Sequence, residues 1–405
     1  MDTLLKVEDK LKNAHFDSSE LFKILADNIS KQSYTIAIEY EESSDYEHAI
    51  KYYDIAIKYD PSNGTTASRR VLSYQKHGLW KGQQLKQEVD KTLGLLTSIA
   101  DRVTFLKTLV VNGYEDTDQY VTTVLSHIGG IADLDEKLSA VNESLTVAED
   151  KKLYELKIEI AYAYTESDPL RSLAICSEIE KKANVKEVQL ACYIKLAEDA
   201  TTDEDKHKFL CSAKQKCNKS NKKAYGRIAA LALSLAKSLF ASDNFEQGHA
   251  VCEEFPSIET ELLSISYKFE RIKKVAGDAA AANELKTLID LCDSSSNATD
   301  IHRSDIYKSI WQEYSRRILS KASKQSADKA VATLIKVANE VKGAHFESND
   351  LYKTLSENIA KISFDHAHEL EESSDYKNAI VYYTIVQRYA SSSGIALGRR
   401  VLCLR

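Results

Sequence analysis

The chain has 405 residues, enough to bury a large apolar surface in two or three domains or in one long helical array. Its 54 basic and 61 acidic side chains leave a net charge of −7, which disfavours general contact with a phosphate backbone, so no nucleic-acid partner is expected. Only 3 prolines and 13 glycines punctuate it, too few for the tight turns of a sheet-rich protein, so helices joined by short loops are expected.

The opening stretch, MDTLLKVEDKLKNAH, is amphipathic and charged and has no apolar segment of signal-peptide type. No apolar run of membrane-spanning length is read in the sequence, and a soluble, cytoplasmic protein without a membrane span is expected. Seven scattered cysteines (Cys176, Cys192, Cys211, Cys217, Cys252, Cys292 and Cys403) lie mostly in helix-like apolar patterns, which fits small buried thiols in a reducing compartment.

Next, Ile29, Ser33, Ile36, Ala37 and Tyr40 fall on one face at helical spacing. After a break, Ala49, Ile50, Tyr53, Ala56 and Ile57 do the same. The spacing predicts two antiparallel helices. The turn SSDYE between them offers Ser44 as a cap with Glu47 reaching back, a capping box that Lys377 would half abolish in the second copy described below. DPSNG, residues 60–64, is expected to end the second helix, with Pro61 unable to donate and Gly64 supplying a positive φ.

The same module returns near the C-terminus. At an offset of 330, residues 1–75 pair with 331–405 without a gap, and 36 of the 75 positions are identical. The shared blocks include AHF, EESSDY, YY and RRVL. Between the copies, 154–180 and 228–255 repeat the helix, turn, helix plan, with breaks expected near Asn112-Gly113, Gly129-Gly130, Asp168-Pro169, Pro256 and residues 293–300. The expected organisation is an N-terminal module (1–75), a degenerate hairpin array (76–330) and a C-terminal copy of the first module (331–405).

The hairpin of residues 30–63 resembles a tetratricopeptide repeat (TPR). Ala37, Tyr40, Ala49, Tyr53, Ala56 and Pro61 occupy that family's small, aromatic and proline positions. In residues 360–391 Ala367, Ala379 and Tyr383 persist, while Leu370, Val386 and Ser391 depart from the pattern. The resemblance implies an all-α fold: an α-solenoid, a superhelical array of antiparallel helical hairpins in which each hairpin covers the apolar face of its neighbour.

It further implies a concave groove lined by Lys31, Tyr34, Ile38, Glu41 and Glu42 in the first copy and by Lys361, Phe364, His368, Glu371 and Glu372 in the second. Family members that hold an acidic chaperone tail use Lys and Asn where this chain has Tyr34 and Ile38, so such a clamp is not expected. An aromatic, an apolar or imidazole group and two acids suit an amphipathic, partly basic helix or an extended peptide; the competing reading is exposed or inter-repeat packing residues.

Signatures of catalysis are missing: no HExxH, GxxxxGK or GxSxG, and no GxGxxG after a strand, so neither an enzyme nor a cofactor is expected. In DHAHE, His366 and His368 point apart on a helix and cannot share a metal ion. His207, Cys211 and Cys217 have a zinc-like spacing, but seven lysines between Lys206 and Lys223 oppose a cation, and buried thiols beside a solvated basic face are the preferred reading, with no metal expected. The pairs Arg69-Arg70, Arg316-Arg317 and Arg399-Arg400 are candidates for gripping carboxylates.

The function expected is a non-catalytic scaffold or adaptor for protein or peptide partners. The alternative is a structural, self-assembling tandem-repeat protein. RRVLCLR stops where the first copy runs on as RRVLSYQKHGLWKG, so the last helix reads as cut in mid-course and a head-to-tail homo-oligomer is an expectation. A helical enzyme or small-ligand sensor is a third class.

Overall fold

The apolar spacing is realised as helix wherever it was read. The computed structural model describes residues 2–14, 19–218, 220–344 and 350–404. The His15-Phe16 and His345-Phe346 parts of the two AHF blocks, and Lys219 of the lysine-rich stretch, lie outside them.

Among the described residues there are 22 helices and no strand. The chain divides into two compact units, 1–195 and 196–405. The first unit holds α1 (Asp2–Asn13), α2 (Glu20–Glu42), α3 (Tyr46–Tyr59), α4 (Gly64–Lys76), α5 (Gly82–Leu95), α6 (Ile99–Val111), α7 (Thr117–Gly129), α8 (Leu134–Val147), α9 (Lys151–Tyr164) and α10 (Pro169–Ile179). The division falls within α11 (Lys186–Asp199). The second unit continues with α12 (Asp203–Lys216), α13 (Lys222–Ala241), α14 (Phe245–Glu254), α15 (Ile258–Lys273), α16 (Asp278–Ser294), α17 (Ala298–His302) and α18 (Asp305–Ala322). It ends with α19 (Ala327–Gly343), α20 (Asp350–Glu372), α21 (Tyr376–Tyr389) and α22 (Gly394–Cys403).

Within each unit, helices touch chiefly their first and second neighbours in sequence, for example α2 with α3, α3 with α4 and α4 with both α5 and α6. The second unit repeats the pattern with α13, α14 and α15 and with α18, α19 and α20. This is the all-α, α-solenoid arrangement of TPR-like hairpins, in which no helix can bury its apolar face alone. The first unit's main core runs from Val71 to Cys192, and the second unit's from Ile265 to Ile359.

The two end modules share one register: α2, α3 and α4 begin 330 residues before α20, α21 and α22. The small residues of the hairpin, Ala37, Ala49 and Ala56 in one copy and Ala367 and Ala379 in the other, are fully buried, as are Tyr53 and Tyr383. Where Ala56 becomes the larger Val386, the facing Ser30, whose hydroxyl donates to the Ala56 carbonyl at 3.1 Å, becomes Ala360. A polar contact is exchanged for apolar volume.

The turn chemistry corrects the expected capping box. Asp45, not Ser44, caps α3, its side chain accepting from the His48 amide at 3.2 Å. Ser44 sits at φ 61° in the left-handed region and closes α2. The Ser44 amide donates to the Glu41 carbonyl and the Asp45 amide to the Tyr40 carbonyl, each at 2.9 Å, a Schellman motif. Because Glu47 has no part in it, Lys377 costs the second copy nothing: Ser374 at φ 67° and Asp375 repeat the arrangement. Asp243 at φ 60° closes α13 with the same backbone bonds, without a side-chain cap on α14.

Two further expectations change. Gly64 has no positive φ; it opens α4, and a Cβ there would lie 2.8 Å from the Leu95 carbonyl oxygen, so glycine is required by close approach to the end of α5. Pro61 is not needed to stop its helix either, since α21 ends at the equivalent place with Ser391 there. The expectation that no apolar stretch reaches membrane-spanning length is also corrected. At 20 residues, α13 is long and apolar enough by length and composition. Its Ile228, Ala232, Leu235, Ala236, Leu239 and Phe240 are buried, and it packs on α12, α14 and α15.

Candidate functional site

Positions 31, 34, 38, 41 and 42 recur at helical spacing, so α2 carries all five predicted groove residues along one stripe. Lys31 is exposed and pairs with Asp27 at 2.7 Å. Tyr34 is half-buried, its ring tilted against Tyr53 at 6.1 Å between centroids, and Ile38 is half-buried one turn on. Glu42 is exposed.

Glu41 behaves differently. Its Oε2 accepts from the Tyr53 hydroxyl at 2.6 Å and from Arg69 at 3.1 Å, tying α2, α3 and α4 together. Burial and the Glu41 carboxylate push the Tyr53 phenol far above its ordinary range, so it stays a donor.

The second copy reproduces this plan on α20. Lys361 and Glu372 are exposed, and Phe364 meets Tyr383 edge-on at 5.8 Å. Glu371 accepts from Tyr383 at 2.6 Å and Arg399 at 3.0 Å; the Tyr383 bond, with Arg399 behind it, holds the carboxyl below its ordinary value despite partial burial. Burial and Glu371 push the Tyr383 phenol up to about 12. His368 replaces Ile38, with Nδ1 3.3 Å from Arg399 and Nε2 3.7 Å from Glu372.

Sequence reasoning therefore gathered the stripe but missed the Tyr–Glu–Arg triad beneath it. The signal was present: EE, YY and RR are identical in both copies. The arginine pairs do grip carboxylates, but those of their own chain. Arg69 holds Glu41, Arg70 reaches Asp54 at 3.0 Å and Glu88 at 3.5 Å, and Arg317 reaches Glu313 at 2.8 Å.

One concave feature was not anticipated. A groove of about 940 Å³ lies where Trp80, Lys86 and Asp90 face Tyr114 and Asp116. Trp80 stacks on Tyr74 at 3.6 Å between centroids, and Arg70 lies over the indole at 5.0 Å.

Of the zinc-spaced trio, His207 and Cys211 do share a face of α12, but Cys217 points its sulfur at the Asn218 carbonyl, 3.6 Å away. Glu254 takes the third place. His366 and His368 engage different partners, the former facing Asp328 at 3.3 Å and Glu369 at 3.4 Å.

No family model matches the chain, and no curated protein does. Among solved structures, it is similar to one of Naa15/Naa10 bound to HypK-THB, at 11% identity over 92% of this chain with a TM-score of 0.25. The chain spans 65% of that structure's length. It is similar to the P58(IPK) TPR domain at 12% identity, over 93% of this chain and 97% of that one, with a TM-score of 0.18. A circular tandem repeat protein aligns at 11% identity over 99% and 86% of the two chains, with a TM-score of 0.14. Likeness at this level carries no information about partners.

Proposed function

We propose that the chain is a non-catalytic scaffold that binds protein or peptide partners along the exposed stripes of its hairpins, the end modules using Lys31, Tyr34, Ile38 and Glu42 and their counterparts Lys361, Phe364, His368 and Glu372. The observation that carries this reading is the division of labour on α2 and α20. One acid of each pair, Glu41 or Glu371, is locked into the Tyr–Glu–Arg triad, while the other, Glu42 or Glu372, is exposed. A rigid helix presenting an aromatic, an apolar or imidazole group and an exposed carboxylate suits an amphipathic segment carrying basic side chains. Glu41 and Glu371 act as positioning residues in this scheme. The setting that fits is a reducing cytoplasm, supported by seven free thiols, four of them buried as small apolar groups.

The test uses an amphipathic Lys/Leu peptide as probe and measures binding by fluorescence anisotropy. Combining Tyr34→Ala, Glu42→Lys, Phe364→Ala and Glu372→Lys is expected to weaken binding at least tenfold with little change in thermal stability. Unchanged binding by the folded variant would remove the reading.

A second reading is favoured by one observation. On α22 Ile395, Leu397, Val401 and Leu402 are 45–70% exposed, whereas Val71, the α4 counterpart of Val401, is buried. Self-association through this face is the alternative, and a concentration-independent monomer in light scattering would exclude it.

A further inference from the structure

Four residues apart on α12, His207 and Cys211 stand one above the other on the same face. The last residue of α14, Glu254, closes over them. The His207 Nε2 lies 2.8 Å from Glu254 Oε2, the Cys211 thiol donates to Glu254 Oε1 at 3.1 Å, and Nε2 and Sγ are 3.6 Å apart. Ligand atoms held tetrahedrally around a zinc ion, at ordinary Zn–N, Zn–O and Zn–S lengths, sit about 3.3–3.6 Å from one another. The His207–Cys211 side already fits, whereas the Glu254 contacts, which run to its two different oxygens, must each open by about 0.5 Å for one of those oxygens to join an ion.

We propose that His207, Cys211 and Glu254 form a site for a divalent transition metal of the zinc or cobalt class. The imidazole, thiolate and carboxylate set selects these over Mg²⁺ or Ca²⁺, which take oxygen ligands. On binding, the Cys211 S–H bond breaks, its proton leaves to solvent and the sulfur pair forms the metal bond. His207 contributes its Nε2 lone pair while its remaining proton sits on Nδ1, and Glu254 binds as the anion. Two negative ligands cancel the charge of the dication. Both His207 and Glu254 are about two-fifths exposed, at 41% and 37%, which leaves an entry path and room for a water as fourth ligand.

Of the nearby lysines, Lys214 is the one set against this site. Lys214, whose field reaches both Cys211 and Glu254, directs its ammonium at the Glu254 backbone carbonyl, 2.5 Å away, and over the Phe255 ring. It anchors the end of α14. The negative end of that helix also favours a cation at Glu254. Phe255 meets the His207 ring nearly edge-on at 6.3 Å and limits its rotation. Without metal, burial and Glu254 push the Cys211 thiol up to about 11, whereas the hydrogen bonds from Cys211 and His207 outweigh burial and keep Glu254 ionised.

The 405-residue chain, stripped with a chelator, is titrated with Co²⁺ alone and then with Zn²⁺. One equivalent of Co²⁺ is expected, with a thiolate-to-cobalt charge-transfer band that Zn²⁺ abolishes. Cys211→Ser should remove the band, and Glu254→Gln should weaken binding by more than about tenfold. Cys217→Ser should change neither. Far-ultraviolet circular dichroism of the metal-free variants checks that each is folded, and Glu254→Gln alone decides if Cys211→Ser is not. Absence of the band in the parent chain overturns the site, as does a band that survives Glu254→Gln undiminished but is lost with Cys217→Ser.

Discussion

Gly64 and Gly394 occupy the same position in the two copies and open equivalent helices, yet alanine should affect them in opposite directions. At Gly64 the new Cβ would stand 2.8 Å from the Leu95 carbonyl oxygen, 2.9 Å from its carbon and 3.0 Å from Leu96 Cδ2. Those are backbone atoms at the end of α5 and a packed side chain, so α4 and α5 must separate, at a cost of about 1–3 kcal/mol for overpacking. At Gly394 nothing lies within 4 Å, and the substitution gains about 0.5–1 kcal/mol from reduced backbone freedom in the unfolded chain and better helix propensity.

The expected difference is therefore about 1.5–4 kcal/mol between two identical chemical changes. Native-state hydrogen exchange resolved to α4 and to α22 is the suitable assay, because an array of this kind can open locally and a single melting temperature would average the two sites. Protection of α4 should fall in Gly64→Ala and that of α22 should hold or rise in Gly394→Ala. Equal shifts of the same sign would refute the reasoning, since they would mean that helix propensity alone, and not the approach of α5, governs position 64.

Tyr53→Phe removes the hydroxyl that donates to Glu41, a hydrogen bond to a charged group, and should cost about 1.5–3 kcal/mol in urea denaturation of the chain. A double-mutant cycle with Glu41→Gln should show that most of this is coupling. Ser44→Gly and Ser374→Gly relieve left-handed backbone at φ 61° and 67° and should each stabilise their module by about 0.5–1 kcal/mol, read as increased exchange protection of the adjoining helix ends. His249, whose Nδ1 lies 2.9 Å from the Ser264 hydroxyl, is held below its ordinary value of 6.5 by burial first and by Lys268 and Arg271, against the opposing Glu253. The folded state thus prefers the neutral ring: its contribution is complete above pH 6.5 and declines as the pH falls below it, and a His249→Gln variant should show a flatter stability profile between pH 7 and about 5.

Much of the fold was legible in the residues, for a local reason. The spacing of Ile29, Ser33, Ala37 and of Ala49, Tyr53, Ala56 sets helix and buried face together, and Asn112-Gly113, Gly129-Gly130 and Asp168-Pro169 interrupt that spacing where helices in fact end or begin. The predicted stripe on α2 and α20 came instead from the resemblance to the tetratricopeptide repeat. Which of its members remain free did not, because Glu41 is taken by Tyr53 and Arg69, 12 and 28 residues away, and no local pattern encodes a partner at that distance.

The sequence by itself determined what short-range forces decide: helices, their turns, the pairing of neighbours into hairpins and the 330-residue recurrence. Only the tertiary structure decided that Gly64 is held by the end of α5 and not by its own dihedral. It also decided that Glu254 reaches His207 across 47 residues while the nearer Cys217 turns away. Each of these depends on where one helix is laid against another, and that is fixed by the summed packing of both faces, which no window of residues contains.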